Sequence, residues 1–360
     1  MAALGMLGKL GDLAEATRHT LLAALPAAKA GRPGSRRGVA ARAARRRSTA
    51  ALGVVALAAG AIGVVATRSP GYPTQRVEPN DGAVWVTNDR VGLFGRLNGP
   101  ARALDTALAP VDKTQNHQLD VLQAGATVVA RDRVAGRLAP IDVRSGQLLK
   151  DRAIPSPPGA ALSVGNGTVA SLDPATGALR ATWAPADAVA SVDGLRPEDK
   201  PTASVGIAPG LGVEARGAAA TVGADGVVHL VGSSGQVATL RPDSAPGRFA
   251  VTTAELGAAL QDVQVALVGD RLVIVDVIGA SVVLPGQTPT ALSGAVRGAV
   301  IQQNGPAAAE VLLATSTELL SLDLASGKLI TLYDRGTGSP AAPVVFDGCR
   351  YAAWAGSPGA

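Results

Sequence analysis

Two segments carry glycines at the spacing of a dinucleotide-binding loop. Gly165-Asn166-Gly167-Thr168-Val169-Ala170 and Gly210-Leu211-Gly212-Val213-Glu214-Ala215 both read G-x-G-x-x-A. Such a loop cradles a pyrophosphate only when a strand leads into it and a helix leads out. The first continues into SLDPATG, a strand followed by a turn, and the second into more strand-like sequence. Both therefore read as hairpin glycines. No G-x-x-x-x-G-K-[ST], H-E-x-x-H or EF-hand pattern occurs, and no G-x-S-x-G elbow sets a serine on a strained turn. His19, His117 and His229 stand alone in the sequence, without a Cys or carboxylate cluster nearby, so each reads as a satisfied or solvent-facing imidazole. No catalytic, cofactor-binding or metal-binding residue is assigned, and no cofactor is expected.

Three aspartates recur in a common setting. Asp142-Val-Arg-Ser145-Gly146, Asp173-Pro-Ala-Thr176-Gly177 and Asp323-Leu-Ala-Ser326-Gly327 all read D-x-x-[ST]-G, each between two strand-like runs. An Asp side chain accepts from backbone N–H groups two residues on, and Gly supplies the positive φ that closes a tight hairpin. The shared position argues for structural carboxylates rather than an acid–base set. Ser233-Ser234-Gly235 is a degenerate copy without the Asp.

The elements around these turns are short strands. Runs over 83–87, 91–97, 127–130, 138–143, 147–149, 162–164, 168–173 and 178–183 are apolar, often Val-rich, and bounded by Gly, Asn, Asp and Pro. Further runs cover 227–231, 263–268, 272–277, 281–284, 311–314, 319–323 and 328–333. One short helical candidate lies around 253–260. Short strands with a recurring hairpin signature predict an all-β, β-propeller-like repeat domain over residues 80–360. At roughly 42 residues per blade this gives six to seven blades, the last incomplete. A β-sandwich array is the rival, but it leaves the repeated turn unexplained.

The net charge of +5 has a local origin. Residues 1–48 carry ten Lys/Arg against Asp12 and Glu15, leaving 23 basic and 26 acidic residues downstream. A nucleic-acid-binding surface on the repeat domain is not supported, and no nucleic-acid partner is expected. Residues 49–67 form 19 uncharged positions, near the ~20 that a helix needs to cross a bilayer. Arg32, Arg36, Arg37, Arg42, Arg45, Arg46 and Arg47 precede this run, while only Arg68 and Arg76 follow closely. The positive-inside rule then predicts a cytoplasmic tail (1–48), one transmembrane helix (49–67), a linker (68–79) and an extracytoplasmic domain. The lipid bilayer is the partner of 49–67. A cleaved signal peptide, even one of twin-arginine type through Arg45-Arg46-Arg47, is the alternative, although no A-x-A site follows. A buried core helix explains the flanking arginines least well. Leucines 4, 7, 10, 13, 21, 22 and 25 outline an amphipathic helix ending near Pro26. The other reading is an upstream extension, with the true start near Val39.

The D-x-x-[ST]-G element resembles the inter-strand turn of pyrroloquinoline-quinone-type propeller repeats. The segments NDGAVWVTNDRVGLFGRLN (80–98), SLDPATGAL (171–179) and FDGCRYAAWAG (346–356) resemble the N-terminal part of very large actinobacterial surface proteins. That resemblance implies a basic tail, one membrane span and a propeller-like region ahead of a train of fibronectin type III or Ig-like domains. This chain has no such train, and the tail before Arg42 is longer than the family's start, so the resemblance implies a fragment or truncated form with a misassigned start. It also implies a second cysteine soon after the AWAG segment, so that Cys349, the single cysteine, would be half of a disulfide. A small buried hydrophobe is the other reading of Cys349.

Function follows as an expectation: a non-catalytic, membrane-anchored scaffold or interaction module of the bacterial cell envelope. Its partners would be envelope proteins or glycans bound through propeller loops. The alternatives are a single-pass signalling protein with a propeller sensor and, third, a quinoprotein-like enzyme.

Overall fold

The computed structural model describes residues 84–98, 103–112, 116–156, 159–185, 188–210, 216–292 and 296–355. The expected tail, membrane span and linker lie outside the described residues, as does the leucine-striped segment before Pro26. Among the described residues no helix is long and apolar enough to cross a membrane. The chain divides into Met1–Arg76 and Val77–Ala360, and every described residue belongs to the second unit.

That unit is all-β. Its first sheet has three antiparallel strands, Val84–Asn88, Leu93–Asn98 and Ala103–Leu108. The second runs through Leu119–Ala124, Thr127–Asp132, Arg137–Asp142 and Gln147–Leu148, with Ile154–Pro155 also paired to its third strand. The third holds Ala161–Gly165, Thr168–Asp173, Ala178–Trp183 and Ala203–Ser204. The fourth holds Ala218–Val222, Val228–Gly232, Gln236–Pro242 and Phe249–Glu255. The fifth is built from Val263–Val268, Arg271–Asp276, Ser281–Val283 and Thr290–Ala291. The sixth is built from Val300–Ile301, Glu310–Ala314, Leu319–Asp323 and Leu329–Tyr333. Two strand pairs follow: Ser339–Pro340 with Trp354–Ala355, and Val344–Phe346 with Cys349–Tyr351.

Burial explains why the strands read as continuous apolar runs rather than as alternation. Thr127–Asp132 is buried at every position, and Thr168–Asp173 and Arg271–Asp276 at all but one. A strand covered on both faces has no polar side to show. Successive sheets stack face to face, and each contact is a separate apolar layer. Trp85 and Phe94 of the first sheet pack on Val128, Ala130 and Ile141 of the second. Val129 and Leu138 meet Val169 of the third, and Leu172 and Leu179 meet Val228 and Leu230 of the fourth. Val231 and Val237 pack on Ile274, Val273 and Val275 on Val311 and Leu313, and Leu312 and Leu319 on Val345 and Trp354.

The opening strands of the sheets stand side by side, joined by side-chain-to-backbone hydrogen bonds. Trp85 N–H donates to the Gln123 Oε1 at 3.0 Å, and the Ser163 hydroxyl donates to the Ala220 carbonyl at 3.2 Å. Gln264 clamps the sixth sheet twice, donating to the Ala299 carbonyl (2.6 Å) and accepting from Ile301 N–H (2.8 Å). A parallel bridge pairs Val268 with Gly305. The third and fourth sheets approach so closely that a Cβ on Gly165 would sit 2.3 Å from the Gly223 carbonyl oxygen, which only glycine permits. Sequential antiparallel meanders with neighbouring, co-directional first strands are the arrangement of propeller blades. The unit is propeller-like.

The repeated turns form as their residues predict. Asp142, Asp173 and Asp323 each accept, through Oδ1, the N–H two residues on, from Arg144 (3.0 Å), Ala175 (3.0 Å) and Ala325 (3.2 Å). The hydroxyls of Ser145, Thr176 and Ser326 each donate to the same carboxylate at 2.7 Å. Gly146, Gly177 and Gly327 take φ of 63°, 68° and 68°. Bonding to Ser145 and to Ser326 holds the carboxyls of Asp142 and Asp323 below the ordinary range. The turn joins second to third strands in the third sheet but third to fourth in the second and sixth.

The helix expected around 253–260 is absent. Residues 253–255 belong to the strand Phe249–Glu255, paired with Gln236, Val237 and Ala238, and Gly257 at φ 73° turns the chain immediately afterwards. Eight residues with a glycine in the middle have too little local drive to nucleate against an available strand edge. Among the described residues the helical element is a 3-10 turn, Lys150–Arg152.

Candidate functional site

The residues singled out by type and spacing do not converge. Gly165 ends a strand, and Asn166 (φ 32°) and Gly167 (φ 82°) form the two-residue turn into Thr168–Asp173, with no helix after it. Residues 211–215 of the second G-x-G-x-x-A match lie outside the described residues, as does His19. His229 sits on the second strand of the fourth sheet, 3.4 Å from the Thr239 hydroxyl, and burial pushes its imidazole below the ordinary value. Cys349 is exposed on the terminal hairpin, which overturns the reading of a small buried hydrophobe. Its neighbours Asp347 and Gly348 form a tight turn with φ of 48° and 73°.

His117 does find a carboxylate, which its isolation in the sequence conceals. Its Nδ1 lies 2.7 Å from Asp132 Oδ2, with both side chains buried. The other oxygen of Asp132 accepts from Val134 and Ala135 N–H, each at 3.0 Å, ahead of Gly136 at φ 62°. Asp132-Arg-Val-Ala-Gly136 is thus a further copy of the aspartate turn, missed because Ala135 replaces the hydroxyl residue. The pair organises a hairpin.

The same hairpin carries the polar site of the domain. Asp120 and Arg131 are direct cross-strand partners in the second sheet, so both side chains leave the same face. Gln118 and Arg133 follow at the end of that face, where the Arg133 N–H donates to the Gln118 carbonyl at 2.9 Å. Farther along, Val129 on the same face packs into the apolar layer against the third sheet. Beside it lies a half-open cavity of about 450 Å³, lined on its other side by Ser156 and the segment 159–162.

Charge inside the cavity is uneven. Arg133 pairs with Asp120 at 2.9 Å, both part-exposed. Arg131 is only 7% exposed and donates Nη1 to the Ala160 carbonyl at 2.9 Å. Burial first, then repulsion from Arg133, holds its guanidinium below the ordinary value, with Asp120 offsetting part. The lining thus brings two guanidinium groups, one carboxylate and the Ser156 hydroxyl together. Among the described residues there is no group of three or more side chains placed to hold a metal. The available sequence signal was R-D-R at residues 131–133, three residues ahead of a turn glycine at 136.

No family model matches the chain, and no curated protein matches it in sequence. Among solved structures it is similar to the dihydro-heme d1 dehydrogenase NirN in complex with DHE, at 12% identity and TM-score 0.49 over 76% of this chain. The chain spans 57% of that protein's length. It is also similar to BamB from Moraxella catarrhalis, at 15% identity and TM-score 0.47, over 76% of this chain and 79% of that one. Kluyveromyces lactis Hsv2 is similar at 10% identity and TM-score 0.46, over 73% and 82%.

Proposed function

We propose that the chain is a non-catalytic interaction module of the bacterial cell envelope, anchored through residues 49–67 with its propeller-like domain outside the membrane. The observation that carries the interaction reading is the distribution of exposed apolar surface. Val84, Val86, Leu97 and Leu104 are all exposed, and the strand register places them on one face of the first sheet. At the other end of the array Ile330, Tyr333, Phe346 and Tyr351 are exposed. The central strands of the sheets between these ends are buried on both faces. Apolar surface gathered at the ends of a rigid framework suits contact with other proteins, because burying it releases water at about 25 cal/mol per Å². The anchoring reading rests on the uncharged run 49–67 and the seven arginines before it.

Both halves are tested in one strain. The full chain should fractionate with membranes, and deleting 49–67 should release it. Cross-linking in intact cells should capture envelope partners, and Val86→Lys with Phe346→Glu should abolish the adducts while leaving the circular dichroism spectrum unchanged. A chain that stays membrane-bound without 49–67 overturns the anchor. Adducts that survive the double substitution overturn the docking faces.

A further inference from the structure

The fourth sheet has an outer edge unlike those of its neighbours. In the second, third and fifth sheets the outermost strand is only two residues long: Gln147–Leu148, Ala203–Ser204 and Thr290–Ala291. In the first and sixth sheets it is longer, but its pairing is broken by a register shift, at Arg96/Leu97 and at Leu319/Leu320. Short length and bulges are usual means of keeping a free edge from pairing with another chain. The fourth sheet has neither. Its outermost strand, Phe249–Glu255, runs in unbroken register with Gln236–Pro242 and carries no charge from Phe249 to Ala254. Every position from Ala250 to Glu255 is exposed.

Two bonds at the ends of this strand fix the direction of its backbone groups. Asp243 N–H donates to the Arg248 carbonyl at 3.0 Å, and Leu256 N–H donates to the Gly235 carbonyl at 2.8 Å. Hydrogen-bonded and non-hydrogen-bonded pairs alternate along an antiparallel ladder. Ala250, Thr252 and Ala254 therefore turn their N–H and C=O groups toward Gln236–Pro242. Phe249, Val251, Thr253 and Glu255 turn theirs outward, where no further strand pairs with them among the described residues. We propose that this edge pairs, antiparallel and about a two-fold axis at Thr252, with the same strand of a second copy of the chain. Phe249 then faces the partner's Glu255, and Val251 faces the partner's Thr253, so all four outward residues enter hydrogen-bonded pairs. Charge favours a second copy as the occupant. Arg248 and Glu255, exposed at opposite ends of the strand, bear opposite charges, and antiparallel pairing brings each basic end to the other copy's acidic end. The edge is separate from the apolar end faces, and the proposal stands whether or not those faces dock a protein.

Sedimentation equilibrium of the full chain in mild detergent tests this. The mass is expected to rise from one chain to two as concentration increases. Thr253→Pro removes an outward N–H and keeps every inward bond, and Val251→Lys sets a charge in the edge. Both should hold the chain at one copy with an unchanged circular dichroism spectrum. Arg248→Glu should weaken dimerisation about fivefold, and adding Glu255→Arg should restore it. Disulfide trapping reads the register. In a Cys349→Ala background, Thr252→Cys should give a cross-linked dimer on copper–phenanthroline oxidation, because a non-hydrogen-bonded pair sets its Cα atoms ~4.5 Å apart. Ala250→Cys, opposite the partner's Ala254, should not. A single-chain mass at every concentration overturns the proposal, as does a dimer that survives both Thr253→Pro and Val251→Lys.

Discussion

Asn304 and Val222 are 82 residues apart in sequence, yet the Asn304 amide Nδ2 donates to the Val222 carbonyl at 2.7 Å. The same carboxamide accepts through Oδ1 from the Thr221 hydroxyl (2.8 Å) and from Leu267 N–H (2.9 Å). One side chain in the sixth sheet's first loop therefore satisfies groups at the ends of the first strands of the fourth and fifth sheets. Asn304→Ala removes all three bonds and leaves their partners to water. The expected cost is about 1–2 kcal/mol, read as a lower urea midpoint with an unchanged slope. Asn304→Asp should recover only part, because the carboxylate cannot donate to Val222.

The aspartate turns separate two local effects. Asp173→Ala removes the bonds from Ala175 N–H and the Thr176 hydroxyl, at an expected cost of about 0.5–1.5 kcal/mol. Gly177→Ala should cost more, roughly 1–3 kcal/mol from positive φ alone. A Cβ there would also lie 2.4 Å from the Val205 carbonyl oxygen. Thermal melts of the two variants check the order. Equal melting temperatures would show that the turn tolerates a shift.

Acid should loosen the terminal hairpin before the sheets. Glu310 accepts from the Ser321 hydroxyl and from Arg350, whose Nε lies 2.9 Å away. Those bonds, Ser321 first, hold its carboxyl below the ordinary 4.5. A lowered folded-state value means that the stabilisation is complete above 4.5 and is lost as pH falls through the folded value. Trp354 reports on the hairpin's neighbourhood, since its indole N–H donates to the Thr315 carbonyl at 2.7 Å and its ring stacks near Tyr333 at 5.8 Å. Hydrogen exchange of 344–351 should accelerate below pH 4.5 ahead of residues 263–276. Glu310→Gln should show the fast exchange already at pH 7.

The central strands were legible because both their faces are buried. Thr168–Asp173, Ala178–Trp183, Val263–Val268 and Leu319–Asp323 match the apolar runs residue for residue. Strands with thin apolar content were not. Ala218–Val222 is mostly alanine, Gln236–Pro242 ends in Arg and Pro, and Phe249–Glu255 is largely exposed, with Phe249 alone packed on an apolar cluster. Leu119–Ala124 was hidden by Asp120, a charge that pairs with Arg133 only once the hairpin has formed. The cavity itself depends on the register that sets Asp120 opposite Arg131, and cross-strand register is a tertiary fact. Likewise His117 meets Asp132 only after the hairpin has formed.

A second carboxylate with the opposite shift gives the converse pH response. Asp262 is 8% exposed, and burial raises its carboxyl above 3.8 despite the bond from Arg216 N–H; nearby Asp276 adds to the rise. Asp276 is itself bound by Gln261, Asp262 and Gly279 N–H groups, at 2.9, 3.1 and 2.8 Å. A raised folded-state value means that the native state holds the proton more tightly, so stability declines as pH rises from 3.8 through the folded value. At pH 7 the ionised carboxylate is a standing cost. Asp262→Asn keeps an acceptor for Arg216 and removes the charge beside Asp276. The variant should be more stable than the parent at pH 7, by up to about 1 kcal/mol, with the difference shrinking toward pH 3. Urea denaturation at the two pH values measures this, and a variant less stable than the parent at pH 7 would mean that the Asp262 charge has a favourable partner.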